Sequence, residues 1–132
     1  MTVFVDSNIP MYVIGGAHPL RDPARRLLEE AVAANEPMCT DAEVLQEILH
    51  RFAAIRRYDD IDHAFDLLTT IVDVIYPIEV VDVERARRIV VGAPRLSARD
   101  AIHVAVMQRR DVGQVMSFDQ AFDVVPGIER LG

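Results

Sequence analysis

The chain has 132 residues, 51% of them hydrophobic and 27% charged, and a net charge of −7; its fourteen basic residues are all arginine. That length predicts one domain over residues 1–132, with a composition that is globular rather than disordered. The negative balance excludes a general duplex-DNA coating protein, which needs a basic face to neutralise phosphates. The longest apolar stretch falls well short of the ~20 residues of a membrane span. The N-terminus enters a strand at once, without the basic and then apolar regions of a secretory leader. The lone Cys39 has neither a disulfide partner nor zinc-like companions. A cytoplasmic chain is the expectation.

In chain order, Val3-Phe4-Val5-Asp6 reads as a buried strand, and Ser7-Asn8 offers an N-cap for a short helix ending near Gly15-Gly16. Asp22-Pro23 starts a second helix with Leu27, Leu28, Ala31 and Val32 on its apolar face. Pro37-Met38-Cys39 is a short strand. Thr40-Asp41-Ala42-Glu43 matches a capping box and predicts a helix over 41–57. An amphipathic helix follows over 60–74, then a β-rich run from Tyr76 to Val81. Asp82 is positioned to cap a helix over 83–92, and Ser97 with Asp100 has capping-box spacing for a helix reaching Arg110. Val115-Met116-Ser117 makes a late strand, and Ile128 begins a terminal one. Such alternation predicts an α/β fold, with a mainly parallel sheet flanked by helices on both faces.

Four acids stand where an apolar chain has little use for them: Asp6, Glu47, Asp100 and Asp119. Buried carboxylates need partners, and several together repel unless a cation sits among them. Asp6 and Asp119 both follow predicted strand ends, the edge where parallel sheets build sites. Each acid also has a structural reading. Asp6 can cap a helix; Asp100 can stabilise a helix N-terminus, worth roughly 0.3–1 kcal/mol. Asp119 can be a turn residue, and Asp123 competes for its role. On the helix over 41–57, Val44, Leu45, Ile48, Leu49, Phe52 and Ile55 share an arc of about 140°, with Glu47 about 60° outside it and Glu43 farther out. Glu47 also precedes Arg51 by four residues, so from the helix alone a surface ion pair is the stronger reading. His103 reads as a satisfied structural histidine more readily than as a substrate contact.

The missing lysine excludes a phosphate-binding P-loop. No G-x-S-x-G elbow or Cys-His pairing supports a nucleophile, and the first strand is followed by Asp6-Ser7-Asn8 rather than D-x-D. What remains is a set of hard oxygen ligands suited to Mg²⁺ or Mn²⁺.

The motifs Val3-Phe4-Val5-Asp6-Ser7-Asn8, Val44-Leu45-Gln46-Glu47-Ile48-Leu49, Ser97-Ala98-Arg99-Asp100-Ala101-Ile102-His103-Val104-Ala105 and Ser117-Phe118-Asp119, with Phe122-Asp123 behind, occur in that order. Together they resemble the PIN-domain nucleases, and more closely the toxin ribonucleases of VapBC toxin–antitoxin systems. The resemblance implies a PIN-like three-layer fold and a catalytic, metal-holding set of Asp6, Glu47, Asp100 and Asp119. It makes Glu47 a ligand, with Glu43 the weaker alternative, and leaves Asp119 sharing its place with Asp123. Ser7 or Asn8 would support the site from behind; the family more often has Thr where Ser7 stands. The implied activity is Mg²⁺- or Mn²⁺-dependent RNA hydrolysis, with Arg51, Arg95 and Arg99 the nearest candidates for RNA contact. The implied partners are a VapB-type antitoxin and a second copy in a homodimer, within a larger toxin–antitoxin assembly. The competing readings are a non-catalytic regulator or scaffold of the same fold, and a DNA-directed nuclease.

Overall fold

The computed structural model describes all of residues 1–132. Five strands, β1 (Val3–Val5), β2 (Met38–Asp41), β3 (Val74–Tyr76), β4 (Gln114–Met116) and β5 (Glu129–Leu131), form one sheet in the order β3-β2-β1-β4-β5. Every neighbouring pair is parallel. The helices are α1 (Asn8–Ile14), α2 (Arg21–Ala33), α3 (Ala42–Ala54), α4 (Tyr58–Ile71), α5 (Val80–Gly92) and α6 (Ala98–Arg109), with a 3₁₀ turn over Gln120–Val124. No helix is long and apolar enough to cross a membrane.

Chain order explains the layers. From β1 the chain steps outward to β2 and β3, then returns across the sheet to β4 and β5. Right-handed crossovers therefore put α1–α4 on one face and α5–α6 on the other. The packing agrees: α1 meets α2 and α4, α3 meets α4, and α5 lies along α6. The core between them holds Val3, Phe4, Val5, Ile48, Leu68, Val104, Met107 and Val115, all at most 2% exposed. An apolar run such as Val3-Phe4-Val5, buried on both faces, is what a central parallel strand demands.

Several local expectations shift. Thr40 belongs to β2, where its hydroxyl donates to the Val5 carbonyl at 2.8 Å; Asp41 is the true cap of α3, its Oδ1 accepting from the Val44 N–H at 2.9 Å. α3 stops at Ala54, short of 57. Its outer apolar residues Leu49 and Ile55 remain 49% and 43% exposed, as does Val32 of α2 at 50%. The β-rich run is also misplaced: β3 is Val74–Tyr76, and Val80-Val81 open α5 behind Glu79. Asp82 is not the cap but the reciprocal partner, accepting from the Glu79 N–H at 2.9 Å. Its carboxylate also takes Arg109 of α6 in a fork at 2.7 and 2.9 Å, which clamps α5 to α6. Ser97 caps α6 as expected, accepting from the Asp100 N–H at 3.1 Å.

Candidate active site

The site lies at the carboxyl edge of the sheet, where the chain order reverses at β1 and the flanking loops part to leave a crevice. Three strand ends supply it. β1 runs into Asp6, β4 into Ser117, and β2 ends in Asp41. The Val5–Met116 register sets Asp6 beside Ser117, and the Asp6 N–H continues the ladder to the Met116 carbonyl at 3.0 Å.

Asp6 is 3% exposed and held at both oxygens. Oδ1 accepts from the Ser7 N–H at 2.8 Å; Oδ2 accepts from Ser117 Oγ at 2.6 Å and from Asn8 Nδ2 at 3.3 Å. Asn8 also reaches Ser117 Oγ at 3.1 Å and accepts from the Phe118 N–H at 3.3 Å, which ties α1 to the loop after β4. Burial pushes the Asp6 carboxyl above its ordinary range, and the charge of Glu47 adds to this; His103 and the Ser117 hydrogen bond oppose it without winning.

Asp100, in the first turn of α6, faces Asp6 across the crevice. Its pKa is pushed up to about 7, first by burial, then by the Asp6 charge and by a hydrogen bond to the Asp119 carboxyl. Asp6 and Asp119 thus crowd Asp100 with like charge, which a bound cation would relieve. Asp119 is fixed from below, its N–H donating to Ser117 Oγ at 3.0 Å and its Oδ1 accepting from the Ala121 N–H at 2.9 Å. Asp123, the competitor for its position, lies elsewhere: it forms an exposed fork with Arg130 at 2.9 and 3.2 Å.

The ion pair expected between Glu47 and Arg51 is not formed. Glu47 turns inward, Oε2 accepting from Ser7 Oγ at 2.6 Å and Oε1 meeting His103 Nε2 at 2.6 Å. Ser7 therefore serves Glu47 and makes no side-chain cap to α1. Burial raises the Glu47 carboxyl, but the His103 hydrogen bond and charge, with Ser7 and Arg99, bring it below its ordinary value. Glu43 has no hydrogen bond to the cluster. Burial and the Glu47 charge raise it, with Arg99 opposing, so it stands as a repelled neighbour. Arg95 and Arg99 are exposed on either side of Ser97, whereas Arg51 lines a separate cavity that begins at Asn8.

His103 is fully buried, and both its ring nitrogens face carboxylates: Nδ1 lies 2.8 Å from Asp41 Oδ2 and Nε2 2.6 Å from Glu47 Oε1, with Asp6 Oδ1 at 3.8 Å. Both nitrogens must donate, so the ring is an imidazolium. Burial opposes that charge, but Asp41, Glu47 and Asp6 outweigh it and hold the pKa well above 6.5. The structural reading of His103 thus describes a charged brace inside the site. Asp41 and Ser117 were missed by the sequence reading. Asp41 escaped because β2 was ended at Cys39; carrying that strand two residues further puts Asp41 on the same edge as Asp6.

Ligand atoms of Asp6, Asp100 and His103 lie within 4.8 Å of one another. His103 Nε2 is committed to Glu47 as a donor, so it offers no lone pair. The usable donors are the carboxylate oxygens of Asp6 and Asp100, with Asp119 beside them. All are hard oxygens whose mutual repulsion a divalent cation would relieve, and the donor set fits such an ion.

Comparison with known proteins accords with this geometry. The PIN domain family matches residues 3–128. Ribonuclease VapC13 of Mycobacterium tuberculosis is 53% identical over 129 residues, 98% of each chain. Ribonuclease VapC23 of the same species is 39% identical over 117 residues, 89% of this chain and 92% of that one. Among solved structures, VapBC2 from Rickettsia felis, bound to a DNA fragment from its promoter, superposes with a TM-score of 0.75 at 15% identity, covering 99% and 98% of the two chains. VapC20 of M. tuberculosis, a sarcin-ricin loop cleaving toxin, gives 0.74 at 21% identity over 89% and 90%. The chain therefore belongs to the PIN-domain family, among the VapC ribonucleases.

Proposed function

We propose that this chain is the toxin of a type II toxin–antitoxin pair, an Mg²⁺- or Mn²⁺-dependent endoribonuclease restrained by a VapB-type antitoxin. One observation carries the reading: Asp6 and Asp100 face each other buried at the switch-point crevice, both with raised pKa and with Asp119 against Asp100. A structural cluster would be relieved by an internal cation at that point. Here the internal cation, His103, hydrogen-bonds Asp41 and Glu47 and reaches Asp6 only at 3.8 Å, so its charge lowers the Asp6 and Asp100 carboxyls without offsetting their burial and repulsion.

In this reading Asp6, Asp100 and Asp119 hold the ion, with Glu47 the fourth acid. A divalent cation held there supplies Lewis-acid charge that stabilises the phosphodiester in its transition state and promotes ionisation of water. Ser7 orients Glu47, while Asn8 and Ser117 orient Asp6, so the carboxylates are placed before substrate arrives. Glu47, held below the ordinary carboxylate range, stays an acceptor at neutral pH and serves to orient the attacking water. An RNA substrate, a homodimer and a larger complex with antitoxin follow from the same family reading.

The test is cleavage of single-stranded RNA beside single-stranded DNA, with Mg²⁺ or Mn²⁺, by the wild type, Asp6→Asn and Asp100→Asn. The expected result is RNA cleavage by the wild type alone. Undiminished cleavage by both folded variants rejects the site. Preferential DNA cleavage selects the DNA-directed alternative, and wild-type inactivity without stabilisation by Mn²⁺ selects the scaffold.

A further inference from the structure

The acids occupy one side of Asn8. On the other side lies a cavity of about 390 Å³ that no part of the proposed chemistry uses. It is walled by α1, the turn that follows it and the last turns of α3, and its charged lining residues are Arg51 and Arg57, with no carboxylate. Arg57 is tied to Asp60, while Arg51 is exposed and makes no ion pair. In a chain of net charge −7, this is positive charge set next to the acid crevice.

The other wall is aromatic. Tyr12 stacks on His18, ring centres 4.4 Å apart and planes within 26°, and meets Phe118 edge-on at 5.9 Å. Phe118 lies outside the cavity lining but directly precedes Asp119, so its contact with Tyr12 ties the cavity wall to the segment that carries Asp119. The His18 ring is fixed, its Nδ1 accepting from the Leu20 N–H at 3.0 Å, which leaves Nε2 as a donor. The turn is built for closeness: a Cβ on Gly15 would stand 2.6 Å from the Met11 carbonyl, and one on Gly16 would stand 3.4 Å from the Arg57 guanidinium.

We propose that this cavity receives an unpaired nucleobase of the RNA strand, with Arg51 on the phosphate between that base and the acids. The proposal rests on the ribonuclease reading and deepens it. A phosphodiester at Asp6 and Asp100 places its neighbouring nucleoside one side chain away, across Asn8. Aromatic faces accept any base by stacking, a free guanidinium binds phosphate, and Met11, Phe52 and Ile55 supply an apolar floor for the ring. A base paired in a duplex cannot enter, so the cavity selects single strands, loops or extruded bases. Occupancy by the antitoxin is the competing outcome.

The test first confirms that the wild type cleaves a chosen single-stranded RNA. Its affinity for Asp100→Asn protein is then measured with each base in turn replaced by an abasic residue. One abasic position near the scissile bond is expected to weaken binding roughly 10-fold. That penalty is expected to vanish in the Tyr12→Leu or His18→Ala background. Arg51→Ala, at an exposed residue with no ion pair, is expected to weaken all RNAs about equally and to lower the salt dependence by about one phosphate contact. A flat abasic scan overturns the proposal while leaving the ribonuclease standing. So do variants that bind RNA normally but escape inhibition by the cognate antitoxin, since these assign the cavity to the protein partner. A wild type that cleaves no RNA removes the ribonuclease reading and this one with it.

Discussion

Replacing Asp100 by Asn is expected to stabilise the metal-free protein while abolishing its activity. The Asp100 carboxyl titrates near 3.8 in an unfolded chain and at about 7 in the fold. An acid whose pKa is raised by folding contributes stability that is complete below about pH 4 and is lost as pH rises through about 7. Ionising it in place costs at most about 4 kcal/mol. Water on the crevice side screens part of this, which leaves about 2 kcal/mol. For a chain of this length, with an unfolding entropy of about 0.28 kcal/mol per kelvin, that corresponds to about 7 °C in Tm. Asn carries no charge, and its amide can donate to Asp119. Thermal melts in chelator at pH 8 should therefore place Asp100→Asn about 7 °C above the wild type, with the gap closing by pH 4. With Mn²⁺ at 100 times its Kd, the wild type should gain about 2.7 kcal/mol, and the variant should lose most of that gain. RNA cleavage by the variant should fall by more than about 100-fold. An Asn variant that melts below the wild type at pH 8, or that keeps the same trend between pH 4 and 8, would refute a repelled carboxylate at this position.

Asp119→Asn should reduce cleavage at least about tenfold, whereas Asp123→Asn should leave it unchanged, because Asp123 faces Arg130 in solvent; initial rates on one RNA decide between them. His103→Leu strands Asp41 and Glu47 as buried unpaired carboxylates and should destabilise the fold by about 3–5 kcal/mol, read from urea denaturation at pH 7. Affinity for Mn²⁺, measured by calorimetry, should weaken steeply as pH falls below about 7, since Asp100 must lose its proton to bind; a flat profile down to pH 5 would contradict its raised pKa. Arg109→Met, which strips the buried Asp82 of its fork, should lower the midpoint of unfolding without changing the rate of RNA cleavage at saturating metal.

Much of this protein was legible before folding because the signals were local. A run of three apolar residues ending in Asp6 makes a central strand with an acid at its tip, and Ser97 followed by Asp100 starts a helix whose apolar sequence permits burial on every side. Such features depend on residues within four positions of one another, which is the range over which capping and periodicity act. Alternation of elements likewise implied a parallel sheet, and the chain's order of motifs pointed to its family.

The tertiary structure decided which local options were used. A helical wheel placed Glu47 at the rim of the apolar face but could not say what lay opposite; packing α3 beside α1 and α6 supplied Ser7 and His103 in place of Arg51. Asp119 was the fourth acid in sequence with Asp123 its competitor, and the turn after β4 folds Asp119 back on Ser117 beside Asp100 and sends Asp123 to Arg130. Asp41 read as the first helical residue after a Thr40 cap; the fold makes it the cap itself and sets its second oxygen against a histidine 62 positions away. These choices are made by contacts far apart along the chain. Their strength comes from burial, which turns ordinary carboxylates into groups that must find a hydrogen bond, an imidazolium or a cation.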